Sequence, residues 1–269
     1  MAIFFDTHAH LDYPDYAPDL DAVIERARQA GIEKIISIGT NLASSERAVQ
    51  LAERFPGVYA AVGWHPTDAL LAPADLRPAL RTLARHPKVV AIGETGLDYY
   101  RLPSTTGGTP ADDAVDKQRQ AEIFQQQLEV ARECQLNCII HQRASFTDTL
   151  AQLRPFAGQV RGVFHCFGES VTCLNQILEL GGLVSFTGLV TFKNAQIVRA
   201  AVAAVPAGRF MLETDCPYLA PVPYRGKRCE PAYVKEIADA VAVVRQCSLA
   251  DLSADTNATA RDFFPKLTL

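Results

Sequence analysis

Short apolar runs alternate with amphipathic segments along the whole chain. The runs are rich in Val, Ile, Leu, Phe and Ala, and most are continuous rather than strictly alternating with polar residues. A continuous apolar run is typical of a parallel strand that is covered on both faces. We therefore predict strands at 3–8, 33–39, 58–63, 88–93, 137–141, 160–165, 183–186 and 209–214.

The segments between these strands carry apolar residues three and four positions apart. This is the spacing of a helix that packs one face on a sheet. The clearest repeats are Leu20, Val23, Ile24 and Ala27; Ala48, Leu51, Ala52 and Phe55; Phe124, Leu128 and Ala131; Val198, Ala201, Val202 and Val205; and Val234, Ile237, Ala238 and Val241. A weaker pattern predicts a last helix at about 248–263, packed under the sheet.

Eight strands, each followed by a helix, predict an α/β fold, a closed (β/α)8 or TIM barrel. The length of 269 residues fits one domain of this kind over residues 1–269. A doubly wound open sheet has the same periodicity and stays open as the alternative, although no G-x-G-x-x-G follows the first strand. The Pro-, Gly-, Ser- and Thr-rich stretch LPSTTGGTPADDAV predicts a long loop at about 102–116, either an inert insertion or a flap beside the active site.

Composition narrows the class of protein. A hydrophobic content of 48% allows a packed core, and a net charge of −4 argues against gripping duplex nucleic acid with the whole surface. The seven cysteines include no C-x-x-C pair, which indicates reduced thiols and a cytoplasmic location. We find no signal peptide, no membrane-spanning run and no long heptad repeat, so we expect no membrane partner, no obligate protein partner and a monomer.

Five of the six histidines fall at or just after the ends of predicted strands. Active sites of (β/α)8 barrels lie at the C-terminal ends of the strands, so this segregation predicts one converging site. The residues at these ends are His8 and His10 on strand one, His65 after strand three, Glu94 on strand four, His141 on strand five, His165 on strand six and Asp215 on strand eight. The sixth histidine, His86, precedes a strand and is expected to face water.

These side chains have the chemistry of a metal site. His8 and His10 point the same way on a strand and could chelate one ion, which Asp215 on the neighbouring last strand could complete. Glu94 has two oxygens and could bridge to a second ion. His141 and His165, on adjacent strands, could hold that second ion. Imidazole with carboxylate suits Zn²⁺ or Mn²⁺ better than Mg²⁺, and paired ions are a common device for hydrolysing phosphate esters.

Two other carboxylates could support this site. Asp98 could orient a ligand histidine, with the capping of a helix as the alternative, and Asp6 could support a histidine from deeper in the barrel. Asp215 and Glu94 are the candidate catalytic residues, with Asp215 as a possible general base. Cys166 follows His165 directly and is expected to face the core, since neighbouring strand residues alternate.

Basic and aromatic side chains follow several of the same strands. A nuclease needs positive charge where phosphates enter, and arginine can hold a phosphate with two parallel hydrogen bonds. The candidates are Arg143, Lys193, Arg225, Lys227 and Arg228, with an ordinary solvated surface as the alternative for each. Trp64, Tyr99, Tyr100 and Tyr218 could stack on bases, although core packing is the better interpretation of each one alone.

The ordered motifs DTHAHLD, VGWHP, AIGETGLDYY, IIHQR, HCF, ETDCPYLAP, RGKRCEPAYV and TNATARDFF resemble those of the TatD family of metal-dependent deoxyribonucleases, in the amidohydrolase-like superfamily. The resemblance covers the whole chain and implies a (β/α)8 barrel with two divalent ions, Mg²⁺, Mn²⁺ or Zn²⁺. It implies that His8, His10, Glu94 and Asp215 bind one ion, and that Glu94, His141 and His165 bind the other. By the same resemblance His65 lies on the phosphate-binding side.

The resemblance further implies hydrolysis of DNA, often from 3′ to 5′ on single strands, with a role in DNA repair or degradation. Some relatives are proposed to act on other esters, including D-aminoacyl-tRNA. The chain departs from the family pattern at Gln142, Glu169 and Cys229, and the carboxylate of Glu169 near the mouth leaves the substrate open. The alternatives are hydrolysis of another ester or amide, such as a small phosphoester, and a metal-stabilised binding protein without activity.

Overall fold

A computed structural model describes residues 2–267 of the chain. Within this range eight parallel strands form one sheet in sequential order, and each strand pairs with the next. The strands are β1 Phe4–Ala9, β2 Ile32–Ile38, β3 Val58–Val62, β4 Val89–Asp98, β5 Asn137–Arg143, β6 Gly162–Phe164, β7 Leu183–Phe186 and β8 Phe210–Leu212. All eight predicted strands are therefore present, with shifts at their ends.

The sheet closes between its first and last strands. Asp215 donates its backbone N–H to the carbonyl of His8, and His10 donates to the carbonyl of Cys216, both at 2.9 Å. Ala9 and Cys216 form a parallel bridge at the same place. The predicted (β/α)8 barrel is confirmed, and the open-sheet alternative is wrong. The closure also brings the ends of β1 and β8 side by side.

Helices surround the strands and bury the predicted apolar faces. They are α1 Leu20–Gln29, α2 Leu42–Arg54, α3 Arg77–Ala84, α4 Pro110–Cys134, α5 Phe146–Leu153, α6 Val171–Glu179, α7 Gln196–Ala204, α8 Val234–Arg245 and α9 Leu249–Phe263. Among the described residues no helix has the length and apolar character needed to span a membrane. All seven cysteines are free thiols in the structure.

The predicted loop at about 102–116 is wrong in its second half. The irregular stretch contains a short 3₁₀ helix, Pro103–Thr106, and ends at Thr109, where α4 begins. The hydroxyl of Thr109 accepts the backbone N–H of Asp112, and Asp112 accepts the backbone N–H of Thr109 in return. This capping box, with Pro110 in the first turn, starts the helix so early that the last seven residues of the predicted loop, 110–116, are helical.

The last helix, α9, packs against the N-terminal end of the barrel, as predicted. Phe263 and Phe264 are fully buried against inward-facing strand residues that include Phe5, Tyr59 and Met211. Burial of aromatic rings of this size contributes a large share of the apolar area removed from water. This end of the barrel interior is therefore an apolar layer closed by a helix.

Candidate metal centre

His8 and His10 converge at the C-terminal end of β1. Their Nε2 atoms lie 3.3 Å apart, and both rings are buried. Oε2 of Glu94 lies 3.4 Å from Nε2 of His8 and 3.6 Å from Nε2 of His10. Oδ1 of Asp215 lies 3.6 and 3.4 Å from the same two atoms. Four donor atoms from three strand ends thus surround one small space.

The other oxygen of Glu94 faces a second group of histidines. Oε1 lies 2.7 Å from Nε2 of His165, 2.8 Å from Nδ1 of His141 and 3.4 Å from Nε2 of His65. His65 is also only 3.2 Å from His141, so it lies within the cluster and not at its edge. Glu94 therefore presents one oxygen to each half of the cluster.

The donor set fits divalent metal ions. His8, His10 and Glu94 form one group whose donor atoms could hold an ion, and His65, Glu94 and His141 form another. Imidazole nitrogens and carboxylate oxygens are the ligands of Zn²⁺ and Mn²⁺ in proteins. The two Nε2 atoms that face each other across 3.3 Å also fit a shared cation. The residues present can thus hold metal in both halves.

The electrostatics of the cluster favour the ligating forms of Glu94, Asp215 and His8 but not that of His165, whose pKa is raised to about 9 because the charge of Glu94 outweighs the effect of burial. Burial alone would raise the pKa of Glu94, but the neighbouring His165, His65 and His141 outweigh it and hold that pKa well below its usual range. Burial likewise opposes ionisation of Asp215, yet the adjacent histidines lower its pKa. Burial lowers the pKa of His8 to about 4, so this imidazole is neutral at pH 7. Ionised carboxylates and a neutral imidazole are the forms that bind metal.

Asp98 contacts the nitrogen of His141 that does not face Glu94. Its Oδ2 lies 3.0 Å from Nε2 of His141, on the side of the ring that faces away from Glu94. Its Oδ1 accepts the backbone N–H groups of Tyr100 and Arg101 at 2.8 and 3.0 Å. The carboxylate therefore both positions the ring and fixes the chain beyond β4. A carboxylate on the second nitrogen of a ligand histidine orients that ligand.

Asp6 does not support a histidine ring, which corrects the prediction. Its carboxylate accepts the hydroxyl of Thr214 at 2.6 Å and the backbone N–H groups of Thr214 and His8 at 2.9 and 3.3 Å. Burial raises the pKa of Asp6 to about 8. The pairing between β1 and β2 shifts register between Asp6 and Ala9, so the simple alternation that placed Asp6 beside the ligands does not hold there.

Glu213 belongs to the surroundings of the site, and the sequence interpretation missed it. Its oxygens accept the backbone N–H of Cys166 and the hydroxyl of Ser185, both at 2.6 Å, and it lies 3.8 Å from Nδ1 of His165. Burial raises its pKa to about 7. The available signal was its position at the end of the predicted strand 209–214, two residues before Asp215.

A cavity of about 600 Å³ opens over the cluster. Arg143 lines it as predicted, and so does Arg101, which the sequence interpretation did not single out. Cys166 also lines it, contrary to the prediction that it faces the core, because its backbone is left-handed (φ 49°) and alternation ends there. Gln142 and Glu169 line the cavity, whereas Cys229 is buried away from it.

Four predicted phosphate-binding residues lie away from this cavity in the part of the chain that the structure describes; they are Lys193, Arg225, Lys227 and Arg228. Arg228 donates to Asp19 at 2.7 and 2.8 Å and to Glu230 at 2.9 Å. Arg225 stacks 3.6 Å over the ring of Phe192. Arg143 also stacks on a ring, that of Tyr100, so the difference between these residues and Arg143 is their position outside the cavity.

Of the four candidate aromatic residues, the structure places one at the cavity and three elsewhere. Trp64 is buried and donates its indole N–H to the carbonyl of Asp68 at 2.8 Å. Tyr99 donates its hydroxyl to Asp148 at 2.9 Å, and Arg143 covers the exposed ring of Tyr100. Tyr218 alone among the four lines the cavity. His86 lies outside the cluster, 3.2 Å from Glu53.

The closed barrel and its histidine–carboxylate cluster define a class, the metal-dependent barrel hydrolases. The family described as "TatD related DNase" matches residues 5–265, and the chain belongs to this TatD family. YabD of Bacillus subtilis (strain 168), named an uncharacterized metal-dependent hydrolase, is 37% identical over 97% of this chain and 99% of its own length.

Other relatives support the same assignment. A protein of Klebsiella pneumoniae (strain 342), named 3′-5′ ssDNA/RNA exonuclease TatD, is 35% identical over 97% of both chains. The crystal structure of YjjV, a TatD homologue from Escherichia coli K12, has a TM-score of 0.88 at 26% identity and covers 97% of this chain and 98% of its own. The predicted family and the prediction of a metal-dependent hydrolase are confirmed.

Proposed function

We propose that this chain is a two-metal phosphodiesterase that removes nucleotides from the 3′ end of single-stranded DNA. The observation that carries the proposal is Glu94, which presents one carboxylate oxygen to each of two histidine groups beneath a cavity lined by Arg101 and Arg143. Relatives named as single-strand exonucleases support the direction and the substrate. A monomeric, cytoplasmic enzyme of DNA repair or degradation stays a prediction.

In this proposal His8, His10 and Asp215 would hold one ion and His141 and His165 the other, with Glu94 shared. Bound divalent ions activate water and neutralise charge on a phosphate in the transition state. The identity of the ions, Mg²⁺, Mn²⁺ or Zn²⁺, is part of the experiment below.

The remaining steps fall to side chains of the protein. The ionised carboxylate of Asp215 is partly open to the cavity and would accept the proton of the attacking water. Arg101 and Arg143 would bind phosphate oxygens, and Asp98 would keep His141 in place. A cavity of about 600 Å³ has the size of a small-ligand pocket, which suits the end of a strand better than the middle of a duplex.

The experiment uses the metal-stripped protein reconstituted with Mg²⁺, Mn²⁺ or Zn²⁺ in turn. Oligodeoxynucleotides labelled at the 5′ or the 3′ end, single-stranded and duplex, report the products. We expect a ladder of 5′-labelled fragments shortened from the 3′ end, faster on single strands, and none from Glu94→Gln. Absence of release with every metal, or equal release by Glu94→Gln, would contradict the proposal.

One observation favours a second candidate, hydrolysis of an aminoacyl ester such as D-aminoacyl-tRNA. Glu169 lines the cavity half-buried and has no ion pair within the described residues. A carboxylate in that position attracts an ammonium group and repels additional phosphates. The test measures release of the amino acid from a D-aminoacyl-tRNA. Release by the wild type that is slower in Glu169→Gln would favour this candidate over the nuclease, provided that the wild type leaves single-stranded DNA intact.

A further inference from the structure

We propose that Tyr218, with Tyr13 beside it, forms a stacking subsite for a nucleobase next to the scissile phosphate. The inference rests on the proposed nuclease function and adds how the substrate is positioned in the site. It concerns two side chains that are neither candidate ligands nor charged.

Tyr218 is an exposed aromatic ring at the edge of the cavity. About 53% of its surface is open to solvent, and only Tyr100 is a comparably exposed tyrosine among the described residues. The ring of Tyr100 is already covered by the guanidinium of Arg143, 3.8 Å from its centroid. Tyr218 has no cation over its ring and no hydrogen bond from its hydroxyl within residues 2–267, and its ring contacts are the perpendicular ones to His10 and Tyr13. An uncovered ring over a polar cavity is a surface on which a flat, neutral ligand can stack.

The neighbouring rings give this surface a defined shape. Tyr13 stacks on His10, with centroids 4.7 Å apart and planes at 27°. Tyr218 stands across that pair, 6.2 Å and 82° from Tyr13 and 6.4 Å and 70° from His10. The two tyrosines therefore form a corner. A flat group stacked in this corner lies directly beside His10, and thus beside the place where the phosphate would react.

The backbone holds Tyr218 in place before any ligand arrives. Its N–H donates to the carbonyl of Asp215 at 3.0 Å, and Cys229 donates to the carbonyl of Pro217 at 3.0 Å. The carbonyl of Leu219 packs so closely on Gly188 that a Cβ there would lie 2.1 Å away. A backbone that is already fixed leaves only the side-chain torsions of Tyr218 to be ordered when a ligand binds, so more of the stacking energy appears as affinity.

The charges around the cavity separate base from phosphate. Arg101 follows β4 and Arg143 ends β5, whereas Tyr218 follows β8 and lies near Asp215. A phosphate is drawn to the arginines, whereas the ring of Tyr218 offers it no positive charge. A nucleobase is neutral and has an aromatic face, so it fits the tyrosine corner. Because every base has such a face, this subsite tolerates all sequences.

The experiment compares single-stranded oligonucleotides that differ by one base. The first is intact, the second has an abasic tetrahydrofuran residue at its 3′ end, and the third has it at the penultimate position. We expect the wild type to lose about tenfold in kcat/KM on one of the two abasic substrates, mainly through KM. Tyr218→Ala should lower kcat/KM on the intact substrate by about the same factor of ten. Its kcat/KM on the abasic substrates should be no lower than on the intact one.

Two further variants separate stacking from a structural effect. Tyr218→Phe keeps the ring, so it should retain both the activity and the discrimination against the abasic substrate. Tyr100→Ala removes the other exposed tyrosine and should affect intact and abasic substrates by the same factor. If the wild type cleaves intact and abasic ends equally well, or if Tyr218→Ala still discriminates, the stacking subsite is wrong and the nuclease proposal stands. If the wild type releases no nucleotide from any of the three, both proposals fail.

Discussion

The two ends of the barrel, built from the same eight strands, differ in what they bury: one end buries an apolar layer and the other a cluster of polar side chains. At the N-terminal end, inward-facing side chains such as Phe5 and Met211 pack with Phe263 into an apolar layer. At the C-terminal end, the strands deliver buried histidines and carboxylates around Glu94. Burial stabilises the first arrangement and opposes the second, because polar groups lose their hydration when they are buried. Stability and chemistry are therefore located at different ends, and substitutions should separate them.

The largest effect is expected at the C-terminal end, from Glu94→Gln. The amide keeps the shape but removes the charge that faces both histidine groups. We expect at least about a thousandfold loss of hydrolytic activity, because charge stabilisation by bound metal is worth several kcal/mol. Circular dichroism should show an intact fold. Activity within tenfold of the wild type would mean that Glu94 is not part of the reacting centre.

At the opposite end, Phe263→Ala should lower stability and leave activity unchanged. Phe263 is fully buried in the apolar layer, and its truncation should lower the free energy of unfolding by about 3–5 kcal/mol. The activity of the folded fraction should be unchanged. Urea denaturation measures the first quantity and active-site-normalised turnover the second. Leu71→Ala, at a side chain that is 78% exposed, is the control and should change stability by less than about 0.5 kcal/mol.

A smaller effect is expected from Asp98→Asn, which weakens the contact that orients His141. Substitutions of this kind reduce metal affinity or activity by roughly 10- to 100-fold. Metal titration followed by calorimetry, together with turnover at saturating metal, separates the two effects. Asp148→Asn is the matched control, since Asp148 contacts Tyr99 at the surface and should leave both quantities unaltered. Equal effects of the two variants would mean that Asp98 does not orient His141.

The smallest effects concern the basic residues. Arg101→Ala and Arg143→Ala should each raise KM for single-stranded DNA by about tenfold or less, because exposed charge pairs are screened by solvent. Arg225→Ala should change KM by less than about twofold, since its guanidinium lies on Phe192 away from the cavity. Steady-state kinetics at two salt concentrations test this order. A larger increase in KM from Arg225→Ala than from Arg101→Ala or Arg143→Ala would mean that the substrate passes over Arg225 and not over the two arginines of the cavity.

The fold was largely predictable because its signals are local and repeated. Continuous apolar runs and helical spacing placed every strand and the last helix near its observed position. The error at 110–116 was avoidable, since Thr109, Pro110 and Asp112 form a recognisable helix start. Glycines and threonines just before this point concealed it. Strand order followed from the prediction of a closed barrel, in which each strand pairs with the next, whereas the periodicity alone also allowed a doubly wound open sheet.

The site divides into a predictable and an unpredictable part. His8, His10 and Asp215 could be placed together because closure of a barrel makes the first and last strands neighbours. The partners of exposed cations could not be foreseen. Arg228 is held by Asp19, more than two hundred residues away in sequence, and nothing in the local pattern indicates that contact. The left-handed backbone at Cys166 and the register shift between Asp6 and Ala9 also break the alternation on which the sequence argument relied.

The apolar layer under α9 has a consequence for the order of folding. Asn257 of this helix donates to the carbonyl of Ile3 at 2.7 Å, so the earliest strand is secured by one of the last elements of the described chain. Contacts of such long sequence separation form slowly, because a large loop must close first. An intermediate with eight paired strands but no docked α9 would expose Phe5 and Tyr59 to solvent. Such a species would be prone to aggregate through this end of the barrel.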